Sequence, residues 1–119
     1  MNELAQMHCS SIKANTPRLN KREISQLAEK LPGWRTFEKD GELRVEKIFK
    51  FENFSEAMAF SNRVAQVANE EDHHPALLTE WGKVTVTWWT HKIEGLHQND
   101  FIMAGKTDLL YGDQHGTEK

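Results

Sequence analysis

The sequence predicts an α+β fold of order α-β-β-α-β-β-α, with helices packed on one face of a four-stranded antiparallel sheet. Three observations carry that reading: helix-start signals at Asn20 and Asn53, a tight-hairpin signal at Asp40-Gly41, and strict alternation through Val84, Val86 and Trp88.

Asn20 is followed three residues on by Glu23, a capping-box spacing, and then by Ile24, Leu27, Ala28 and Leu31 at helical intervals until Leu31-Pro32-Gly33 stops the helix. Trp34 to Glu38 and Leu43 to Phe51 read as strands joined by Lys39-Asp40-Gly41-Glu42, where Asp-Gly supplies the positive φ angles a hairpin turn requires. A second helix begins at Asn53, again with a glutamate three on at Glu56, and sets Ala57, Phe60, Val64, Val67 and Ala68 on one stripe up to Glu70-Glu71-Asp72. Pro75 bars its continuation. Ala76 to Trp81 forms a short strand, Gly82 turns the chain, and Lys83 to His91 forms the clearest strand of all. The third helix runs from about Gln98 to Tyr111, with Phe101, Ile102, Ala104, Leu109 and Leu110 available for burial. Residues 1–19 and 112–119 are poorer in apolar side chains and read as a flexible leader and tail around a folded domain spanning 20–111.

With 119 residues, 38% hydrophobic and 28% charged, the chain has the size and balance of one globular domain. Its net charge of -3, with Lys and Arg scattered among Asp and Glu, gives no general attraction to nucleic acid. No apolar run reaches the length of a secretory or membrane-spanning segment, so a cytoplasmic protein with no membrane partner is expected. Cys9 is the single cysteine and cannot form an internal disulfide. The His8-Cys9 pair lacks the further ligands that a zinc site needs.

Four of the six histidines, His73, His74, His91 and His97, fall within 25 residues of one another. Imidazole both donates and accepts protons near neutral pH, which makes such a cluster a candidate for acid/base chemistry. His73 and His74 end the second helix and His91 ends the last strand, so an antiparallel return from Trp81 brings His91 back beside His73-His74-Pro75. Taken singly, His8, His97 and His115 read as surface or hydrogen-bonded structural residues. Of Trp88 and Trp89, alternation sends one into the core and the other toward a cleft or interface. Asp100, three residues after His97 at a helix start, reads as a cap more than as a partner that polarises a histidine. A metal site is not expected, because adjacent histidines diverge and neither H-E-x-x-H nor C-x-x-C occurs.

His73-His74-Pro75, Trp81, Thr90-His91 and Asp100 together resemble the signature of the pterin-4a-carbinolamine dehydratases, also called dimerisation cofactor of a homeodomain transcription factor in animals. Gly33-Trp34, the run Phe49-Lys50-Phe51-Glu52-Asn53-Phe54, and Ala57-Met58-Ala59-Phe60 fit the same pattern, so the resemblance covers residues 20–111. It implies the same fold, a homo-dimer or homo-tetramer, and an enzyme that dehydrates 4a-hydroxytetrahydrobiopterin to quinonoid dihydropterin without metal or organic cofactor, in support of an aromatic amino acid hydroxylase. It also implies His73 and His91 as proton-transfer groups, His74 as a catalytic residue that helps hold the pterin, and Pro75 and Thr90 as lining residues. A flat pterin suits an aromatic-walled slot, to which Trp34, Trp81 or a strand tryptophan would contribute. One departure stands out. The family commonly has a glutamate four residues before the first histidine of the pair, where this chain has Asn69, and Glu70 on nearly the same helix face is the expected substitute.

Two rival readings remain at this level: a dimerising or regulatory module in which the histidines are incidental, and a metal-dependent hydrolase. Retention of the whole His73, His74 and His91 set favours catalysis over the former.

Overall fold

A computed structural model describes residues 3–115. Its elements follow the expected order: α1 (Lys21–Ala28), β1 (Arg35–Lys39), β2 (Glu42–Lys50), α2 (Phe54–Glu71), β3 (Ala76–Glu80), β4 (Lys83–Trp88) and α3 (Gln98–His115), with short 3-10 turns at Glu3–Gln6 and His91–Ile93. The sheet is antiparallel throughout, in the order β1-β2-β4-β3.

Local chemistry sets these boundaries. Asn20 accepts the Glu23 N–H while the Glu23 carboxylate accepts the Asn20 N–H, so both halves of the capping box form. At Asn53 the side chain likewise accepts from Glu56 N–H at 2.8 Å. Asp40 and Gly41 take φ values of 54° and 78°, the left-handed pair of a two-residue hairpin, which lets Lys39 and Glu42 pair directly. α1 ends earlier than the spacing predicts, because Lys30 and Leu31 donate to Leu27 and Ala28 in tighter three-residue turns before Pro32.

β4 also ends early, at Trp88 rather than His91. Its partner β3 begins at Ala76, opposite Thr87, and Pro75 has no N–H with which to carry the ladder further. Beyond it, Thr90 pairs only with Gly95, and His91 enters a 3-10 turn. α3 runs on to His115, past the expected end at Tyr111; residues 116–119 of the expected tail lie outside the described residues.

Helices cover one sheet face. Val45 and Phe49 of β2 and Val84, Val86 and Trp88 of β4 meet Ala57, Phe60, Val64 and Ala68 of α2 and Phe101 to Ala104 of α3 in one buried core. Phe60 packs its ring 5.0 Å from Phe49 and 5.1 Å from Phe51. Removing any of these large side chains is expected to cost about 3–5 kcal/mol. On the uncovered face, Ile48 and Leu78 flank Thr85 across the ladder and stay half-exposed.

Residues 3–19 of the expected flexible leader instead lie against the domain, with Glu3–Gln6 on α3. Leu4 and Ala5 are buried, Lys106 Nζ donates to the Ala5 carbonyl at 3.0 Å, and Leu19 N–H donates to the Leu96 carbonyl at 2.8 Å. The low hydrophobicity of the segment concealed this, because most of its bonds are made by backbone atoms to side chains of the domain.

Candidate active site

The end of α2, the turn after β4 and the N-terminal segment meet around a cavity of about 500 Å³. Asp72 ends α2 in the left-handed conformation, φ 53°, and turns the chain so that His73 and His74 follow on the rim of the sheet. Both line the cavity, as do Trp89, Thr90 and His91. Imidazoles distant in sequence therefore share one cavity.

His73 is 8% exposed and sits at the floor. Its Nε2 lies 2.7 Å from Oδ1 of Asp100, a fully buried carboxylate, and its ring stacks on Trp88 at 6.1 Å between centroids. An ionised carboxylate only accepts, so Nε2 is the protonated nitrogen and Nδ1 is left for exchange with a ligand. The second oxygen of Asp100 accepts the Thr90 hydroxyl at 2.7 Å and the His97 N–H at 3.0 Å. Asp100 thus performs the capping role expected of it and, in addition, orients His73. The capping arithmetic pointed to the first role; the second depends on where α3 meets α2, which spacing does not reveal.

His74 is exposed and its Nε2 donates to Asn69 Oδ1 at 3.0 Å. The asparagine that replaces the expected glutamate therefore fixes this ring. Glu70, the expected substitute, is exposed and bonds only to Gln66 among the described residues; the acidic residues that line the cavity are Glu71 and Asp72. His91 has an 86% exposed side chain with Nδ1 3.8 Å from Glu42. Thr90 lines the cavity, while Pro75 is half-buried beside it and outside its lining.

Trp34, expected as an aromatic wall, lies elsewhere. It is buried in the core with its indole N–H 3.1 Å from both oxygens of Asp108, which also pairs with Lys47 at 2.9 Å. Trp81 is exposed in the β3–β4 turn and also outside the lining. The aromatic in the cavity is Trp89, whose ring carries the Arg44 guanidinium at 4.0 Å and whose indole N–H is buried without a partner among the described residues. Alternation had separated Trp88 from Trp89: the former is fully buried and donates to Thr107.

Cys9, Ser10, Ser11 and Ile12 form a further wall that the sequence did not suggest. Burial, reinforced by the charges of Glu71 and Asp100, pushes the Cys9 thiol up to about 12, so it is no nucleophile at neutral pH. Among the described residues no group of three His, Cys, Asp or Glu side chains could hold a metal ion. No helix among them is long and apolar enough to cross a membrane.

The sequence profile described as pterin 4 alpha carbinolamine dehydratase matches residues 17–110. The chain belongs to that family. The crystal structure of a transcriptional coactivator/pterin dehydratase from Brucella melitensis is similar at 33% identity, with a TM-score of 0.73 over 81% of this chain and 100% of that one. A pterin dehydratase-like protein described as a RuBisCO assembly factor in the α-carboxysome shares the fold at 23% identity, with a TM-score of 0.57 over 67% of this chain and 90% of that one. Membership and fold thus agree with the resemblance read from the histidine signature.

Proposed function

We propose that this chain dehydrates a pterin 4a-carbinolamine, 4a-hydroxytetrahydrobiopterin, to the quinonoid dihydropterin. The observation that carries the reading is the shared cavity of His73, His74 and His91, with His73 backed by a buried carboxylate.

The reaction breaks the C4a–O bond and removes the proton on N5; the N5 electron pair forms the C4a=N5 bond, and the oxygen leaves as water. It needs a base at N5 and an acid at the hydroxyl. His73 suits the base: with Nε2 bonded to Asp100, its neutral ring offers the Nδ1 lone pair, and the charge it gains is countered by the carboxylate behind it. His91, exposed in the same cavity, supplies the proton to the departing oxygen and regains one from solvent. His74, held by Asn69, positions the pterin, and the unpartnered Trp89 N–H offers it a donor. The chemistry asks for no metal or organic cofactor, and the product is reduced elsewhere for reuse by an aromatic amino acid hydroxylase. A homo-oligomer in the cytoplasm fits the exposed Ile48 and Leu78 on the uncovered sheet face.

The test is loss of 4a-hydroxypterin absorbance generated by a hydroxylase, with and without the purified chain. Wild type accelerates it, and His73→Ala and His91→Ala each slow it by roughly 10²- to 10⁴-fold while circular dichroism stays unchanged. Equal rates for wild type and both variants reject the assignment.

A second reading, a protein-binding module without catalysis, is favoured only by that uncovered apolar strip. It predicts a partner-dependent activity that survives loss of His73 and His91.

A further inference from the structure

Hydrogen bonds fix most of the cavity. Glu71 accepts the Cys9 N–H at 2.8 Å, Asn99 accepts the Ser10 N–H at 3.0 Å and donates to its carbonyl at 2.8 Å, and Lys92 donates to the Ile12 carbonyl at 3.1 Å. His91 differs from its neighbours, because its largely exposed ring makes no hydrogen bond among the described residues. What touches it comes from β2. The β2–β4 ladder stops at the pair Val45–Trp88, so residues 42–44 are paired with β1 alone and residues 89–91 run on beyond β4. Side chains carry the connection past that point. Arg44 lays its guanidinium over the Trp89 ring, and Glu42 sets one oxygen 3.7 Å from that guanidinium and the other 3.8 Å from His91 Nδ1.

Glu42 and Arg44 lie outside the cavity lining, with side chains only 13% and 14% exposed. Glu42 Oε1 and Arg44 Nε are buried with no hydrogen-bond partner among the described residues. Charges drawn out of water without hydrogen bonds work against folding, so stability is a poor account of this pair. Its place beside His91 is a better one. We infer that Glu42, braced by Arg44, is a positioning residue that holds the His91 ring at the cavity. The inference rests on the dehydratase reading above, which makes that ring the acid. The contact is an ion pair only while His91 carries its proton, so it acts on the form that donates. A ring confined in this way needs less ordering at the chemical step, which raises kcat without tightening substrate binding. On so exposed an imidazole the gain is small, a factor of about two to five.

Glu42→Gln keeps the shape of the side chain and removes its charge, and two readouts on the full chain test the role. In carbinolamine dehydration kcat is expected to fall about two- to fivefold with KM unchanged. In carbon relaxation of the histidine rings at mildly acidic pH, the order parameter of His91 is expected to fall below about 0.6, while His73 and His74 keep their wild-type values. A His91 ring that moves no more in the variant than in wild type overturns the inference whatever the rate does. A loosened ring with unchanged kcat also overturns it, as does loosening of His73 together with His91, which would make Glu42 a structural residue. A wild-type chain without dehydratase activity, whose His91 ring still loosens in Glu42→Gln, would retain the anchor and reject the dehydratase reading.

Discussion

Asp100 Oδ1 and His73 Nε2 are 2.7 Å apart, and neither residue is open to bulk water. The carboxylate joins α3, the turn after β4 and the end of α2, because it also receives the Thr90 hydroxyl and the His97 N–H. The same side chain therefore orients the proposed base and satisfies buried donors, and two substitutions separate these roles. Asp100→Asn keeps the volume and one acceptor but loses the charge, so kcat is expected to fall about 10- to 100-fold with a modest loss of stability. Asp100→Ala leaves buried donors unpaired and is expected to cost about 2–4 kcal/mol in urea unfolding as well. Wild-type kcat in Asp100→Asn would remove this residue from the mechanism.

Trp34 provides the opposite case. Its indole donates to the part-buried Asp108, away from the cavity, so Trp34→Phe removes a donor without touching the site. The expected outcome is a loss of about 1–2 kcal/mol in stability, with KM and kcat at wild-type values. A raised KM at unchanged stability would restore the aromatic-wall role expected from its place in the family signature.

These two residues mark where sequence reading succeeds and where it stops. Periodicity, capping and the Asp40-Gly41 turn are local, and the elements appear in the order those signals set, with the ends of α1, β4 and α3 displaced. The convergence of His91 with His73 and His74 was also legible, since it follows from one antiparallel return. What escaped depends on contacts across the chain. Glu71 and not Glu70 lines the cavity because the N-terminal segment and the turn after β4 meet α2 on that side, a contact between distant parts of the chain that a helical wheel does not contain. The wall at residues 9–12 was invisible because its polar side chains announce a loop, and nothing in their pattern says which side chains will hold its backbone.

His97 links pH to stability. It precedes α3, and its Nδ1 accepts the Asn99 N–H at 3.0 Å, a bond only an unprotonated nitrogen can make. Burial holds this imidazole below its ordinary value, with His73 adding in the same direction and Asp100 opposing. Between the folded and the ordinary value the unfolded chain binds more protons, so the contribution is present above about pH 6.5 and is lost as pH falls through the folded value. Urea midpoints at pH 7, 6 and 5 should decline for wild type. His97→Asn, which keeps a capping oxygen without a titrating ring, should decline less; parallel declines would show that the slope arises elsewhere.

Glu71 gives the N-terminal wall its own pH dependence, at a more acidic range. Burial alone would raise its carboxyl, but the Cys9 N–H, His8 and Lys106 outweigh that and hold it below the ordinary carboxylate value. The folded state therefore favours the charged form, and the anchoring it provides is complete above the ordinary value and lost as pH falls through the depressed one. Glu71→Gln removes the charge at all pH values while keeping the shape of the side chain. Amide exchange at Cys9, measured at neutral pH, is expected to speed up about tenfold or more in that variant, corresponding to roughly 1.4 kcal/mol or more of lost local protection, while exchange in β2 and β4 stays as it was. Uniform acceleration across the sheet would mean that Glu71 supports the fold as a whole, and unchanged exchange at Cys9 would mean that Asn99 and Lys92 suffice to hold the wall.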